Sequence, residues 1–227
     1  MDAVRRWSHD ALARHVSGEV LVCGDEEIAL DAAFPGMPGI LVIAGTGSIV
    51  IGRCRDGSLH TAGGWGPVLG DEGSGYWIGI EAIRTALRAQ DRHVKSCLLA
   101  EIQRHWELES LQELIAIANS QPAPDFSSLA RVVAECAADG DALALSLLQR
   151  AGEELAGFIT LVHSKMAAAD CVEQTTIGVA YTGSVLTHIA PVRETMAAQL
   201  KIAMPNAVVL DTPVDALQGA LWRARQS

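Results

Sequence analysis

The chain has 227 residues, a formal net charge of −10, 49% hydrophobic residues and only 4% aromatic residues. This length and apolar content exclude a disordered chain and are enough to bury a sizeable core, built mostly from Ala, Leu, Ile and Val. The acidic balance argues against binding to nucleic acid or to an anionic membrane, because both need a positively charged face.

The sequence also carries no sign of a membrane span, a signal peptide or a metal framework. Its longest apolar run, 39–52, is too short and is broken by Gly45 and Gly47. The five cysteines are scattered and never form a Cys-x-x-Cys pair, which argues against a disulfide framework or a structural zinc site. We therefore expect a cytoplasmic protein without a resident metal.

The first third of the chain is predicted to alternate helices and strands. In chain order these are a helix at 2–16, a strand at Glu19–Cys23, a helix at 26–34 and a buried strand at 40–44. The dipeptide Asp56-Gly57 is a strong hairpin signal. It predicts that Ser48–Cys54 and Ser58–Ala62 pair antiparallel.

The rest of the chain is predicted to be mainly helical. The elements are a helix at Tyr76–Ala89, helices over 93–140, a long helix from Gly140-Asp141, a strand at Thr176–Tyr181, a helix from Val185 and a strand at Ala207–Leu210. The segment Thr212-Pro213-Val214-Asp215 predicts a last helix with Thr212 as its N-cap and Pro213 at its first position. The alternation of strands and helices predicts an α/β fold.

A glycine turn between two apolar runs, ILVIAGTGSIVIGR, is a candidate phosphate site. Gly45 and Gly47 let backbone N–H groups approach a phosphate closely, and Thr46 and Ser48 add hydroxyl donors. The segment is not a P-loop, because it lacks the Gly-Lys-Ser/Thr ending and leads into a strand. A hairpin turn without a ligand is the alternative interpretation.

Two further segments carry residues suited to ligand binding. GGWGPVLGDEGSG, at 63–75, combines glycines with Trp65 and the acid pair Asp71-Glu72, and saccharide sites use an aromatic face and carboxylates in this way. TIGVAYTGSVL places Gly183-Ser184 after a strand, where ligands gather in α/β sheets. A structural turn is the alternative for each.

Taken in order, IAGTGS, GGWGPVLGDEGSGYWIG, AADGDALA, YTGSVL and PVDALQGAL resemble the N-acetylglucosamine kinase and glucosamine kinase group of the BadF/BadG-type ATPase family. This group lies within the actin-like, hexokinase-like superfamily. The match covers essentially the whole chain, and GGWG-x-x-x-GDEGS is its most specific part.

The resemblance implies a ribonuclease H-like fold, a mixed sheet flanked by helices, with ATP and sugar meeting between two lobes. Residues 1–39 would belong to the N-terminal lobe and 40–227 to the C-terminal lobe, with a last helix at about 213–224 packing back on the first.

The resemblance also implies site residues. The ATP-binding residues would be Gly45, Thr46, Gly47, Ser127, Gly183 and Ser184, with Thr46 at the phosphates and the two serines near the adenosine. The sugar-binding residues would be Ser48, Ile49, Gly63, Gly64, Trp65 and Asp71. Asp25, in VLVCGDEEIAL, matches the family aspartate that takes the proton from the attacking sugar hydroxyl. A carboxylate at a strand end beside a phosphate turn suits that role, although Asp25 is also an excellent helix N-cap by residue type.

The sequence departs from the family at two points. No Asp-Gly-Gly-Gly-Thr-type loop, which embraces the β- and γ-phosphates in the family, occurs in it. We therefore expect the chain to begin part-way through the N-terminal lobe, which leaves that lobe incomplete, exposes a sheet edge beside Glu19–Cys23 and puts the activity of these residues in question. Ile49 stands where an Asn touches the sugar in some relatives, so the choice between an N-acetylated and a free-amine sugar stays open.

The leading prediction is a kinase that uses ATP and Mg²⁺ to phosphorylate the 6-hydroxyl of an amino sugar, N-acetylglucosamine or glucosamine. We expect no nucleic-acid or membrane partner, and a homodimer stays open. One alternative is a non-catalytic sugar- or nucleotide-binding protein. Another is an activator ATPase of the same family, which holds an iron–sulfur cluster with cysteines. The five scattered cysteines show no such arrangement: Cys23, Cys54, Cys97, Cys136 and Cys171.

Overall fold

The computed structural model describes residues 2–16, 20–169 and 176–226, and within them five strands form one sheet. The strands are β1 (Gly39–Ala44), β2 (Ser48–Arg53), β3 (Leu59–Gly63), β4 (Ile177–Thr182) and β5 (Ala207–Val209). Their order is β3-β2-β1-β4-β5. β2 pairs antiparallel with both β1 and β3, whereas β4 pairs parallel with β1 and β5. The sheet is therefore mixed, as predicted.

Ten helices accompany the strands in the described part of the chain. They are α1 (Asp2–Leu12), α2 (Asp25–Ala33), α3 (Gly75–Asp91), α4 (Leu98–His105), α5 (Leu111–Ala118), α6 (Leu129–Ala138), α7 (Ala142–Ala168), α8 (Ser184–His188), α9 (Ala190–Ala203) and α10 (Ala216–Ala224). A 3₁₀ turn at Phe126–Ser128 precedes α6. None of these helices combines the length and apolar character needed to cross a membrane.

Apolar residues cover both faces of the sheet, because successive side chains of a strand point to opposite sides. On β1, Val42 belongs to a large core shared with α3, α6, α7 and α9, and its neighbour Leu41 belongs to a smaller core with α2. Ile51 and Ala180 join Leu41 in the smaller core. The molecule thus has three layers, with the central sheet between two sets of helices.

The parallel pairing of β1 and β4 brings two loops to one edge of the sheet. Residues 40–43 of β1 align with residues 179–182 of β4, so both strands end side by side. The turn at Gly45 follows β1 and the turn at Gly183 follows β4. A β-carbon on Gly45 would lie 3.9 Å from the Ser184 nitrogen, in ordinary contact. Two of the candidate ligand-binding turns are therefore neighbours.

The strand predicted at Glu19–Cys23 is wrong for the residues that the structure describes. Residues 20–24 have no strand pairing, and Glu19 lies outside the described residues. The expected sheet edge beside this segment is therefore wrong as well. The edges of the described sheet are β3 and β5.

The predicted start of the last helix is also wrong. Helix α10 begins at Ala216, and its N-cap is Asp215, whose carboxylate accepts a hydrogen bond of 3.0 Å from the Leu217 N–H. The residues before Asp215 do not continue the helix, because Val214 is hydrogen-bonded to the end of β4. The Val214 N–H donates to the Tyr181 carbonyl at 2.9 Å, and the Thr182 hydroxyl donates to the Val214 carbonyl at 2.9 Å.

Helix α10 lies against α2, with their backbones in close approach. A β-carbon on Gly219 would lie 2.7 Å from the Ala32 nitrogen, and the Trp222 ring lies 3.4 Å from the corresponding position of Gly36. The C-terminal helix therefore packs on the helix that begins with Asp25. The division into two lobes at residue 39 stays a prediction.

Gly79 offers a test of helix packing in the core. A β-carbon there would lie 2.8 Å from the Phe126 carbonyl carbon, so the 3₁₀ turn packs directly against the backbone of α3. We predict that Gly79→Ala lowers the free energy of unfolding by about 1–3 kcal/mol, because the neighbouring atoms are backbone and cannot rotate away. Urea unfolding measures the change.

Gly157→Ala in α7 is the matched control. Nothing lies within 4 Å of a β-carbon at Gly157, so the variant should gain about 0.5–1 kcal/mol from helix propensity alone. A stable Gly79→Ala protein, with a gain equal to that of the control, would contradict the close packing.

Candidate functional site

The turn at residues 45–47 is held by hydrogen bonds from the start of α3. The Gly75 N–H donates to the Gly45 carbonyl at 2.7 Å, and the Tyr76 N–H donates to the Thr46 carbonyl at 3.2 Å. Ser74 caps the same helix by accepting from the Trp77 N–H at 3.1 Å. Because these first N–H groups of α3 are used by the turn and the cap, the turn has one fixed position relative to α3.

The GDEGS segment brings a buried carboxylate against the same turn. Asp71 is 6% exposed, and its carboxylate accepts a hydrogen bond of 3.2 Å from the Gly66 N–H. The Ser48 hydroxyl donates to the Glu72 carbonyl at 2.8 Å, which ties the segment to β2. A β-carbon on Gly47 would lie 2.9 Å from Asp71 Oδ2, so only glycine lets the carboxylate lie this close to the turn.

Asp71 is also held in an uncommon backbone conformation. Its φ is +61°, in the left-handed region that non-glycine residues rarely adopt. Such residues cluster at functional sites, where the surrounding structure maintains the strain. Burial raises the pKa of the Asp71 carboxyl, the Gly66 and Ser48 N–H groups lower it, and the Glu72 charge raises it further, with a net increase.

The first cavity, of about 500 Å³, opens beside Asp71 and the turn. Its lining combines carboxylates, hydroxyls, glycines and two isoleucines: Asp25, Glu26, Ile43, Gly45, Thr46, Gly47, Ser48, Ile49, Gly64, Gly66 and Asp71. Carboxylate and hydroxyl oxygens are acceptors for the hydroxyl groups of a polyol. The cavity therefore suits a polar ligand that carries several hydroxyl donors.

Asp25 reaches this cavity as the first residue of α2, not as its cap. The N-cap is Gly24, which offers no side-chain bond, so the predicted alternative role of Asp25 as an N-cap is wrong. The exposed Asp25 side chain faces the cavity together with Glu26. Burial raises the pKa of Glu26, its own backbone N–H opposes this, and Asp25 and Glu27 add to the net rise.

The second cavity, also about 500 Å³, lies on the other side of the turn. Its lining is Gly45, Thr46, Gly75, His105, Ser127, Ser128, Ala130, Arg131, Ala134, Ser184, Val185, His188 and Ile189. Ser127 and Ser128 form one wall of this cavity, the serine wall. Asp125 holds this wall in place, because its carboxylate accepts hydrogen bonds from the Ser127 N–H at 3.0 Å and the Ser127 hydroxyl at 2.6 Å. The apolar side chains form a surface on which a flat ring could pack.

Gly45 and Thr46 line both cavities, so the turn is their common wall. Two ligands bound in the two cavities would meet at this turn. The structure thus brings the predicted residues Asp25, Ser48 and Asp71 together on one side of the turn. It brings Ser127 and Ser184 together on the other side.

Three of the predicted site residues do not line either cavity. Trp65 is 75% exposed, and Gly63 and Gly183 are absent from both linings. Conversely, sequence reasoning missed Glu26, His105, Arg131 and His188. The run of three acidic residues that begins at Asp25 could have indicated Glu26 as a site residue. Nothing in the sequence indicated that His105, Arg131 and His188 line a cavity.

A metal cluster made by the protein is not present in the described ranges. Within 2–16, 20–169 and 176–226, no group of three or more His, Cys, Asp or Glu side chains could hold a metal ion. The described cysteines, at positions 23, 54, 97 and 136, form no disulfide with one another, and Cys171 lies outside the described residues.

The mixed sheet flanked by helices is the fold of the actin-like, ribonuclease H-like ATPases. Within this class the chain belongs to the BadF/BadG/BcrA/BcrD ATPase family, whose profile matches residues 4–224. The fold and the family predicted from the sequence motifs are thus confirmed.

Three relatives show how far the similarity extends. The chain is 32% identical to the N-acetylmuramic acid/N-acetylglucosamine kinase of Clostridium acetobutylicum over 211 residues, covering 92% of this chain and 68% of the relative. It is 29% identical to the N-acetyl-D-glucosamine kinase of Dictyostelium discoideum over 229 residues, covering 99% and 70%. The crystal structure of a proposed N-acetylglucosamine kinase from Chromobacterium violaceum matches with a TM-score of 0.71 at 29% identity, covering 96% and 70%.

The raised pKa of Asp71 leads to a prediction about stability and pH. A carboxyl whose pKa rises on folding favours the folded state below its unfolded pKa, and this contribution is lost as the pH rises through the folded pKa. Asp71→Asn removes that dependence. The free energy of unfolding of the variant, minus that of the wild-type chain, should therefore grow more positive as the pH rises from below 3.8, the ordinary value.

Urea unfolding of both proteins at a series of pH values measures this difference. Asp91→Asn, the same substitution at an exposed carboxyl at the end of α3, is the matched control. A difference that stays flat or falls as the pH rises would show that burial does not raise the pKa of Asp71.

Proposed function

We propose that this protein transfers the γ-phosphoryl group of ATP to the 6-hydroxyl of an amino sugar. The observation that carries the proposal is the turn at Gly45 and Thr46, which is the common wall of a carboxylate-lined cavity and a serine-lined cavity. Phosphoryl transfer depends mainly on placing two substrates in line and stabilising the transferred charge. Membership of an ATPase family and similarity to named amino-sugar kinases support the assignment.

The first cavity is proposed to hold the sugar. Its buried Asp71 is a fixed hydrogen-bond acceptor, and Ser48 lies beside it on β2. Ile43 and Ile49 offer an apolar patch that an N-acetyl methyl group or the face of the sugar ring could cover. Asp25 faces the same space and is proposed to accept the proton of the 6-hydroxyl as that oxygen attacks phosphorus.

The second cavity is proposed to hold the nucleotide. An adenine ring would pack between Ala130, Ala134 and Val185, and Ser127 and Ser184 would contact the adenosine. The phosphates would then extend to Gly45 and Thr46, where glycine geometry and a hydroxyl donor suit an anion. Mg²⁺ would arrive bound to the phosphates and supply charge neutralisation, since it usually keeps waters and few protein ligands.

Relatives of this chain are named for different sugars, so the substituent on the sugar nitrogen is left to experiment. Two are named for N-acetylglucosamine, one of them for N-acetylmuramic acid as well, and a third, from Vibrio cholerae, is named for glucosamine. The activator alternative is not favoured by these relatives. The location of the protein in the cytoplasm and its assembly as a homodimer stay predictions.

The proposal is tested by ADP release from the 227-residue chain with ATP and Mg²⁺, in the presence of N-acetylglucosamine or glucosamine. Sugar-dependent ADP release is the expected result, with a 6-phosphate product identified by mass and NMR. Calorimetry of each ligand runs in parallel. Binding of sugar and nucleotide without ADP release would favour the non-catalytic alternative and overturn the proposed reaction.

Asp25→Asn tests the proton acceptor. We expect kcat to fall by about 10²–10⁴-fold, the usual loss when a positioned general base is removed, while the sugar still binds. Asp91→Asn, at an exposed carboxylate at the end of α3, is the control. A kcat within a few-fold of the wild-type value would show that Asp25 does not take the proton.

Asp71→Ala tests the sugar contact. We expect the KM for sugar to rise by about 10- to 100-fold with little change in the KM for ATP, because a hydrogen bond to a charged group contributes about 1.5–3 kcal/mol. Glu72→Ala, the adjacent acid outside the cavity lining, is the control. Equal increases of both KM values would mean that the GDEGS segment is only structural.

A further inference from the structure

Arg223 on α10 contacts two carboxylates of α2, the helix that begins with Asp25. Its Nε donates to Asp31 Oδ2 at 2.6 Å, and its Nη1 lies 3.4 Å from Glu27 Oε2. The Arg223 side chain also lines a cavity together with Cys23. Since Glu27 follows Asp25 by two residues, one side chain from the far end of the sequence contacts the first turn of the helix that carries the candidate proton acceptor.

Asp31 connects this contact to the sheet. It is fully buried, at 0% exposure, and its Oδ1 accepts from the Arg53 guanidinium of β2. Arg53 also donates from Nε to the Met37 carbonyl at 3.1 Å, just beyond the end of α2. A buried carboxylate between two guanidinium groups has both of its oxygens satisfied, and removal of one partner leaves an uncompensated charge.

Helix α2 is held in its orientation by tertiary contacts rather than by a capping residue. It contains nine residues, and its N-cap, Gly24, makes no side-chain hydrogen bond. A helix this short is marginal without tertiary contacts. The close backbone approach at Gly219 brings α10 to the same face that carries Glu27 and Asp31. The orientation of α2 therefore depends on α10 and Arg223 as well as on the packing of Ala29 and Leu30 against the sheet.

We propose that Arg223 is a positioning residue that holds Asp25 at the mouth of the first cavity through its ion pairs with Glu27 and Asp31 on α2. This inference rests on the proposed function, in which Asp25 accepts the sugar proton. Arg223 itself lies outside both cavities. Its loss should therefore slow the chemical step and leave binding intact, because Asp71, Thr46 and Ser127 lie on other elements.

The first test measures α2 directly and does not depend on catalysis. Hydrogen exchange of residues 25–33 is compared among the wild-type chain, Arg223→Met and Arg225→Met. Methionine keeps the apolar stem, and Arg225 is an exposed arginine at the end of the same helix. We expect several-fold faster exchange of α2 in Arg223→Met only. Equal exchange in all three proteins would overturn the proposal, even if the chain had no kinase activity.

The second test separates positioning from general stability. We expect Arg223→Met to lower kcat by about 10²-fold, the loss that a small misplacement of a catalytic group can cause, with both KM values nearly unchanged. Arg223→Lys, which keeps the charge and is the safer variant if Arg223→Met folds poorly, should recover part of kcat.

A double-mutant cycle with Asp25→Asn completes the test. If Arg223 acts through Asp25, Arg223→Met should cause no further loss of kcat in the Asp25→Asn background. The same loss in both backgrounds would overturn the proposal and leave the proposed function standing. A wild-type chain without sugar-dependent ADP release would instead overturn the proposed function, and the exchange measurement would still decide on Arg223.

Discussion

The hydrogen bond from the Gly75 N–H to the Gly45 carbonyl is the contact on which both cavities depend. It fixes the end of β1 to the start of α3, so the turn cannot move without the helix. On one side, the turn then lies against the buried Asp71 carboxylate, and on the other it lies against Ser184 at the end of β4. A wall shared by two ligand sites has to be rigid, because a displacement of either ligand by about 1 Å is costly for transfer between them.

Close backbone contacts at glycine extend this constraint through the molecule. Because Gly79 has no β-carbon, the Phe126–Ser128 turn packs directly on α3, and this contact fixes the position of the serine wall of the second cavity. Gly219 likewise lets α10 pack closely on α2, and this contact fixes the position of the helix that carries Asp25. Neither contact is made by a ligand-binding residue. The walls of both cavities are thus placed by residues that lie behind them, where a methyl group would already be too large.

The sequence was sufficient for the elements but not for the directions of side chains. The hairpin around Asp56-Gly57 and the α7 helix with its Asp141 cap follow from local signals, and both are present in the structure. The last helix begins later than predicted because Val214 bonds to β4, a contact 33 residues away that no local pattern contains. Trp65 and Arg131 show the same difficulty at the site, since residue type indicates what a side chain could bind but not whether it faces a cavity. Only the packed structure separates Glu26, which faces the cavity, from Glu27, which faces Arg223.

Charge is distributed in two distinct ways around α2. On the face toward β2 and α10, Asp31 is neutralised by Arg53 and Arg223, so the helix is held by satisfied ion pairs. On the face toward the first cavity, Asp25 and Glu26 join Asp71, and the described lining of that cavity contains no lysine or arginine. These carboxylates would repel the phosphates of a nucleotide at the adjoining turn unless a cation accompanied them. The same repulsion favours proton uptake by a carboxylate at this wall, because protonation removes a negative charge next to the developing phosphate. An aspartate in such a place has to be kept in position by groups other than its own charge, and the ion pairs on the opposite face of α2 provide that support.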